Sequence, residues 1–144
     1  MHIVICSSID FTPQIEQVSL LLKEKGHTVD IPLTSRQIIA GELTLSEYLA
    51  EKSNAGESAD RKIKNDVIRG YFEKIKNADA ILVLNFDKKG ISNYIGGNTF
   101  LEMGFAHVLN KRIFLYNNIP EMLYTDELLA FNPDILHGDL SLIK

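Results

Sequence analysis

Short apolar runs alternate along this chain with segments in which apolar residues recur at helical spacing. The continuous apolar runs at residues 2–7, 80–86 and 112–116 predict buried strands, because a strand covered on both faces shows no polar alternation. Two weaker runs, at residues 28–33 and 133–136, predict shorter strands, and a proline in the first of them favours a sheet edge. The pattern therefore predicts five strands.

The segments between these runs are predicted helices. Thr12 is the expected N-cap of the first helix, with Pro13 at its first helical position. A capping-box pattern at residues 44–47 opens a second, short helix. Helical spacing returns in three later segments, at residues 61–77, 99–110 and, weakly, 121–130. Strands that alternate with helices predict an α/β fold, a three-layer α/β/α sandwich around a mostly parallel five-stranded sheet.

Residues 53–60 interrupt this alternation. They are small and polar and include a glycine, so they predict a mobile loop and a candidate lid over a site.

Size and composition limit the possible functions. At 144 residues, with 45% hydrophobic residues, the chain is expected to form a single domain, residues 1–144. A net charge of −4 without a basic stripe argues against binding a nucleic acid polymer. No apolar run approaches the roughly 20 residues of a membrane-spanning helix, so no membrane partner is expected. The N-terminus leads straight into a strand and there is one cysteine, so we expect a cytoplasmic protein.

Glu102 is the main candidate for chemistry. It lies near the start of an otherwise apolar helix, directly after a strand-to-helix connection that contains Gly96 and Gly97. Ligands of open α/β sheets bind at that edge, and a partly buried carboxylate there can act as a nucleophile or a general base. The residues also fit a plainer interpretation. Thr99 and Glu102 have capping-box spacing, as do residues 44–47, and the sequence pattern leaves both interpretations open.

Further candidates follow the ends of the predicted strands. Ser7, Ser8 and Asp10 follow the first strand, where an adjacent helix N-terminus can bind an anion; ordinary turn formation is the alternative. Asp87 follows the third strand and is a candidate to contact a base or a sugar, with a solvated loop charge as the equal alternative.

The remaining candidates lie before the Glu102 helix and after the fourth strand. Tyr94 and Asn98 flank the two glycines and are candidates to line a pocket, with packing and helix capping as alternatives. Asn117 follows the fourth strand at the same edge, where a turn is the plainer interpretation. Lys88 and Lys89 can attract a phosphate, but exposed loop lysines usually bind nothing specific. The four histidines lack ligand spacing, so no metal site is expected.

Three segments carry a family resemblance: residues 78–84, 98–106 and 111–115. They resemble the nucleoside 2-deoxyribosyltransferase family, whose superfamily includes the 2′-deoxynucleoside 5′-monophosphate N-glycosidases. The resemblance implies a flavodoxin- or Rossmann-like fold, no cofactor, a homo-oligomer (a dimer or higher), and a small nucleoside or nucleotide as the partner. It implies that Glu102 attacks the anomeric carbon of a 2′-deoxyribose and forms a covalent glycosyl-enzyme, from which water or another base takes the sugar.

The chain departs from this family at several site positions. Gly96 stands where the transferases carry an aspartate, six residues before the nucleophile, and Asn98 replaces the glycine beside Thr99. Residues 6–8 replace a tyrosine at the end of the first strand, for which Tyr94 is the available substitute. The family aspartate after the third strand matches Asn85 or Asp87. The resemblance thus implies catalytic roles for Glu102, Asp87 and Tyr94. The implied substrate-binding residues are Ser7, Ser8, Asp10, Asn85, Gly96, Gly97, Asn98, Thr99 and Asn117.

The sequence therefore predicts an enzyme that cleaves an N-glycosidic bond in a 2′-deoxynucleoside or its 5′-monophosphate, by hydrolysis or base exchange. The replaced neighbours of Glu102 favour an alternative, a catalytically inactive nucleotide-binding or sensor module on the same fold. A third possibility is a flavodoxin-like domain that holds another phosphorylated cofactor, although the sequence has no glycine-rich lysine loop.

Overall fold

A parallel five-stranded sheet forms the centre of the molecule. In the computed structural model, which describes residues 1–54, 56, 59, 60, 63 and 66–144, the strands lie in the order β2-β1-β3-β4-β5 and every pairing is parallel. The strands are β1 (His2–Ser7), β2 (Thr28–Asp30), β3 (Ala80–Leu84), β4 (Arg112–Leu115) and β5 (Asp134–Ile135). The predicted five-stranded parallel α/β fold is confirmed, and the strand order is the flavodoxin-like one.

Helices connect the strands. They are α1 (Thr12–Glu24), α2 (Leu33–Ile39), α3 (Leu45–Ser53), α4 (Val67–Asn77), α5 (Gly97–Val108) and α6 (Thr125–Ala130). One-turn 3₁₀ helices lie at Ile9–Phe11 and Leu140–Leu142. Among the described residues, no helix has the length and apolar content to span a membrane.

The sheet is covered on both faces, which explains its continuous apolar strands. On β1, Val4 and Cys6 point to one face, into a core with residues of α4, α5 and α6. Ile3 and Ile5 point to the other face, into a core with residues of α1 and the C-terminal segment. All four side chains are fully buried. Alternate residues of a strand face opposite sides, so both faces must be apolar when both are covered.

The chain order creates a switch point between β1 and β3. From β1 the chain crosses outward to β2, and it later returns to place β3 on the other side of β1. The register pairs Ser7 with Leu84, so the carboxyl ends of the two strands lie side by side. Connections that leave in opposite directions open a crevice at this edge, which is where ligands bind in such sheets.

The second strand is shorter than predicted. Residues 28–33 were expected to form a strand, but β2 ends at Asp30, and Leu33–Ile39 forms a helix that the sequence pattern did not predict. Pro32 is the reason, because it cannot donate to the sheet and serves instead as the N-cap of α2.

The start of α1 also differs from prediction. Thr12 is the first residue of α1 rather than its N-cap, which is Phe11, and Pro13 is the second. The Thr12 hydroxyl instead donates to the carbonyl of Ile9 at 2.6 Å. Helix α4 begins at Val67, and parts of the predicted 61–77 helix and of the predicted 53–60 loop lie outside the described residues.

Candidate functional site

A cavity of about 340 Å³ opens at the carboxyl edge of β1 and β3. It is bounded by the segment after β1, by α2 and α3, by α4, and by the connection from β3 to α5. Eight of the residues proposed from the sequence line it: Ser7, Ser8, Tyr94, Gly96, Gly97, Asn98, Thr99 and Glu102.

Glu102 lies on the wall of this cavity, and its position decides between its two interpretations. Helix α5 starts at Gly97 with Gly96 as N-cap, so Thr99 is the third helical residue and Glu102 the sixth. A capping box requires the threonine at the N-cap, and Thr99 is instead 3% exposed inside the first turn. The predicted box at residues 99–102 is therefore absent, and the half-buried Glu102 carboxylate faces the cavity.

The matching pattern at residues 44–47 does form a capping box. Thr44 is the N-cap of α3, and the Glu47 backbone N–H donates to the Thr44 hydroxyl at 3.1 Å. The Thr44 backbone N–H in turn donates to Oε2 of Glu47 at 2.9 Å. One sequence pattern therefore has two outcomes, and the position of the helix start separates them.

Cys6 and Tyr71 lie on the buried side of Glu102. Burial, the negative charge of Glu102 and a hydrogen bond with its side chain raise the pKa of the Cys6 thiol well above its ordinary value. Burial and the nearby negative charge of Glu102 likewise raise the pKa of Tyr71, whose hydroxyl donates to the carbonyl of Ile5. Both side chains therefore stay protonated, and the thiol can donate to the carboxylate.

Tyr94 is the aromatic residue of the connection that leads into α5. Its backbone N–H donates to the carbonyl of Phe86 at 2.9 Å, and its ring lies against the backbone of Gly96. A Cβ atom on Gly96 would lie 3.3 Å from Cε1 of Tyr94. The ring thus lies where a side chain at position 96 would begin.

Three lysines also line the cavity: Lys52, Lys88 and Lys89. The ammonium of Lys88 lies 3.0 Å from Oδ2 of Asp10 and donates to the Ser8 hydroxyl at 2.8 Å. Burial and the positive charges of Lys88 and Lys89 lower the pKa of Lys52, against the opposing effect of Asp10. The sequence pattern favoured Lys88 and Lys89 as ordinary loop lysines, and it did not indicate Lys52 as a site residue.

Among the described residues, four of the proposed site residues do not line the cavity. Asp10 supports the site indirectly through Lys88. Asp87 accepts the backbone N–H of Asn93 at 2.9 Å, which fixes the turn after β3. Asn85 and Asn117 bond to one another, as the backbone N–H of Asn117 donates to the Asn85 side chain and the Asn117 side chain donates to the Asn85 carbonyl, each at 2.9 Å. Their observed contacts therefore join the ends of β3 and β4.

Sequence reasoning also missed the cavity lining that residues 32–71 contribute. The missed residues are Pro32, Leu33, Thr34, Tyr48, Lys52, Val67 and Tyr71, with Ile9 after β1. Tyr71 carried a usable signal, because it lies one helical turn before Ile75 and so shares the core-facing side of α4. Thr34, Tyr48 and Lys52 lie in a stretch of weak periodicity, where the pattern does not indicate which side of a helix is buried.

No protein-family model matches this chain, and no curated protein sequence matches it. Among solved structures it is similar to the CMP N-glycosidase BcmB of Clostridium botulinum, with 17% sequence identity. The match covers 94% of this chain and 85% of that one, with a TM-score of 0.48. A match at this level carries no argument about the chemistry of the present site.

Proposed function

We propose that this protein cleaves the N-glycosidic bond of a 2′-deoxynucleoside or its 5′-monophosphate, with Glu102 as the nucleophile. The observation that carries the proposal is the position of Glu102, a half-buried carboxylate that faces a cavity at the switch point of the sheet. The resemblance of residues 98–106 to the deoxyribosyltransferase family supports the same assignment.

The proposed reaction has two displacements. In the first, a Glu102 oxygen bonds to C1′ as the bond from C1′ to the base nitrogen breaks, and the base leaves with the electron pair and takes a proton from solvent. In the second, water bonds to C1′, the ester to Glu102 breaks, and a proton is released. A free base in place of water gives exchange. Dividing one difficult displacement into two is the advantage of a carboxylate nucleophile.

Cys6 is well placed to keep Glu102 in an attacking orientation. Its protonated thiol lies on the buried side of the Glu102 carboxylate and can donate to it, while Glu102 also lines the cavity. Such a weak donor orients the carboxylate with little loss of nucleophilicity.

The residues around the cavity supply the substrate contacts in this proposal. Asn98 is exposed in the first turn of α5, where its amide can donate to a sugar hydroxyl, and Ser7 and Ser8 lie at the end of β1. Tyr94 presents its ring as a contact for the sugar or base. Asp87 has no catalytic role in this proposal, because its carboxylate accepts a hydrogen bond from the backbone N–H of Asn93.

The decisive experiment compares wild type with Glu102→Gln and with Glu16→Gln, which changes an exposed glutamate of α1. Each protein is incubated with the four 2′-deoxynucleosides and their 5′-monophosphates, and base release is measured by chromatography. We expect release by wild type and Glu16→Gln and none by Glu102→Gln. Intact-protein mass spectrometry should also detect a sugar adduct on wild type. Equal release by Glu102→Gln would refute the proposal.

A second candidate function is a nucleotide-binding module without turnover. The observation that favours it is that Gly96 carries no hydroxyl-binding side chain and that the Tyr94 ring lies against it. A ligand that binds only the folded protein raises its melting temperature. Stabilisation of wild type by a nucleotide, with no base released over long incubation, would select this function.

A further inference from the structure

We propose that Lys52, Lys88 and Lys89, here called the lysine cluster, bind the phosphate of the substrate, so that the site selects a nucleoside 5′-monophosphate over the free nucleoside. This inference rests on the proposed function for the identity of the rest of the ligand. The phosphate recognition itself rests on the charges and contacts of the cluster.

Lys88 is held in place by neighbouring side chains and is not a freely moving surface lysine. Its side chain is only 12% exposed, and its ammonium is held by Asp10 at 3.0 Å and by the Ser8 hydroxyl at 2.8 Å. Among the ion pairs of the described residues, Asp10 offsets one of the three positive charges, which leaves the cluster an excess of positive charge in a protein whose net charge is −4. A fixed ammonium loses less entropy on binding an anion than a free one does.

A tight turn holds Lys88 and Lys89 in place. The backbone N–H of Lys88 donates to the Ile91 carbonyl at 3.1 Å, and the N–H of Ile91 donates back to Lys88 at 2.9 Å. Lys89 and Gly90 at the centre of the turn both have positive φ, 54° and 71°. A lysine in this conformation is costly and is kept where the surrounding structure requires it.

Lys52 approaches the same point from a different element. It lies in the last turn of α3, a helix fixed by its capping box and by the buried Tyr48. Burial, and after it the nearby positive charge of Lys88, lowers the pKa of Lys52. Like charges held together in a cavity repel one another, and a bound dianion removes that repulsion.

The two chemical groups of the cavity suit the two ends of a nucleotide. The lysine cluster and Glu102 of α5 line the same cavity. Tyr94 lines it too, with the ammonium groups of Lys88 and Lys89 at 5.4 and 5.7 Å from its ring centroid and Gly96 against the ring. A ligand with a phosphate at one end and an electrophilic carbon at the other suits both groups, and about 340 Å³ is within the range of small-ligand pockets.

The test measures binding without turnover. The Glu102→Gln protein is titrated with each 2′-deoxynucleoside, its 5′-monophosphate, deoxyribose 5-phosphate and inorganic phosphate. The titrations are repeated with Lys52→Met or Lys89→Met introduced into the Glu102→Gln protein. Lys23→Met, which changes an exposed lysine of α1, serves as the control. We expect the monophosphate to bind at least tenfold more tightly than the nucleoside. Each cavity lysine should account for about 10- to 100-fold of its affinity, as charged hydrogen bonds do.

Further results separate the possible explanations. Lys52→Arg should retain most of the preference for the monophosphate, because it keeps the charge, and Lys23→Met should retain all of it. Equal affinity for nucleoside and monophosphate would overturn the proposal, and so would a loss of affinity in Lys52→Met and Lys89→Met that is the same for both ligands. Inorganic phosphate that binds as tightly as the monophosphate would also overturn it, since the site would then be a general anion site.

Failure of this inference and failure of the proposed function give different results. A preference for monophosphates that depends on the lysines, with no base release by wild type, would uphold the phosphate site and refute the glycosidase. Base release from nucleosides and monophosphates at equal rates would uphold the glycosidase and refute the phosphate site.

Discussion

The ring of Tyr94 lies against the backbone of Gly96, so closely that a Cβ atom at position 96 would lie 3.3 Å from Cε1 of the ring. That separation is tighter than ordinary van der Waals contact, so a side chain at position 96 requires the tyrosine ring to shift by a few tenths of an ångström. The residue at position 96 and the position of the Tyr94 ring are therefore coupled.

The first prediction follows from this contact. We expect Gly96→Ala to cost less than about 1 kcal/mol of unfolding free energy, since its backbone conformation suits any residue, but to move the Tyr94 ring and weaken nucleotide binding several-fold. Urea unfolding and calorimetric titration measure the two effects.

Gly104→Ala is the matched control, because a Cβ there has open space and the helix gains stability, up to about 1 kcal/mol. The contact has no bearing on binding if Gly96→Ala and Gly104→Ala bind nucleotide equally well.

The second prediction concerns pH and Cys6. The raised pKa of this thiol means that the folded protein keeps a proton which the unfolded chain loses above about pH 8.5. Stability from this group is therefore complete below pH 8.5 and falls as the pH rises, by at most about 1.4 kcal/mol per pH unit. We expect Cys6→Ala to flatten this decline between pH 8.5 and 9.5, measured by urea unfolding at several pH values.

This window keeps the ionisation of Tyr71 out of the measurement, because its ordinary pKa is near 10 and its pKa in the fold is higher still. If wild type and Cys6→Ala decline with the same slope, the thiol does not hold its proton in the folded state.

The third prediction tests the observed contacts of Asn85. This fully buried side chain donates to the carbonyls of Asn93 and Asn118, at 3.3 and 2.9 Å, and accepts the N–H of Asn117. Asn85→Asp would place a carboxylate against carbonyl oxygens, so we expect a loss of more than about 2 kcal/mol in unfolding free energy.

Asp87→Asn serves as a comparison on the same loop, since an amide oxygen can still accept the N–H of Asn93, and it should cost less than about 1 kcal/mol. If Asn85→Asp were instead stable and more active, Asn85 would occupy the family aspartate's place in the site.

The fourth prediction separates stability from ligand binding at Lys89. Since its φ is 54°, Lys89→Gly relieves backbone strain and should leave stability within about 1 kcal/mol of wild type. We expect monophosphate affinity to fall about tenfold, as in Lys89→Met. Asn93→Gly, also at positive φ but outside the cavity, should keep its affinity. Thermal unfolding and titration of both variants give the comparison, and unchanged affinity in Lys89→Gly would exclude its ammonium from binding.

The strands were predictable because their signal is local. A strand such as Ala80–Leu84, covered on both faces, must be apolar throughout, and that composition is visible without any knowledge of its neighbours. The position of Glu102 near a helix start was visible for the same reason. The exact start of that helix was not visible. The pattern predicts a start at Thr99, where Glu102 could belong to a cap, but the helix starts at Gly97, which makes Glu102 a cavity residue.

The lysine cluster was not predictable, because it depends on tertiary packing. Lys52 and Lys88 are distant in sequence, and they meet only because α3 packs beside the 3₁₀ turn that follows β1. Nothing in the local pattern of residues 45–53 indicates which side of that helix faces the sheet edge. The low exposure of Lys88 likewise depends on Asp10, which lies on another segment.

The connection from β3 to α5, residues 85–96, carries two lysines of the cluster, Tyr94 of the cavity lining and Gly96, the N-cap of the helix that holds Glu102. Its ends are tied down by Asn85 and by the start of α5, and within it Phe86 and the buried Ile95 pack against the two cores of the sheet. A replacement loop that keeps Phe86 and Ile95 can therefore alter what the protein recognises without rebuilding the core. An engineer who grafts different residues between these two would change ligand preference while retaining Glu102, the proposed nucleophile.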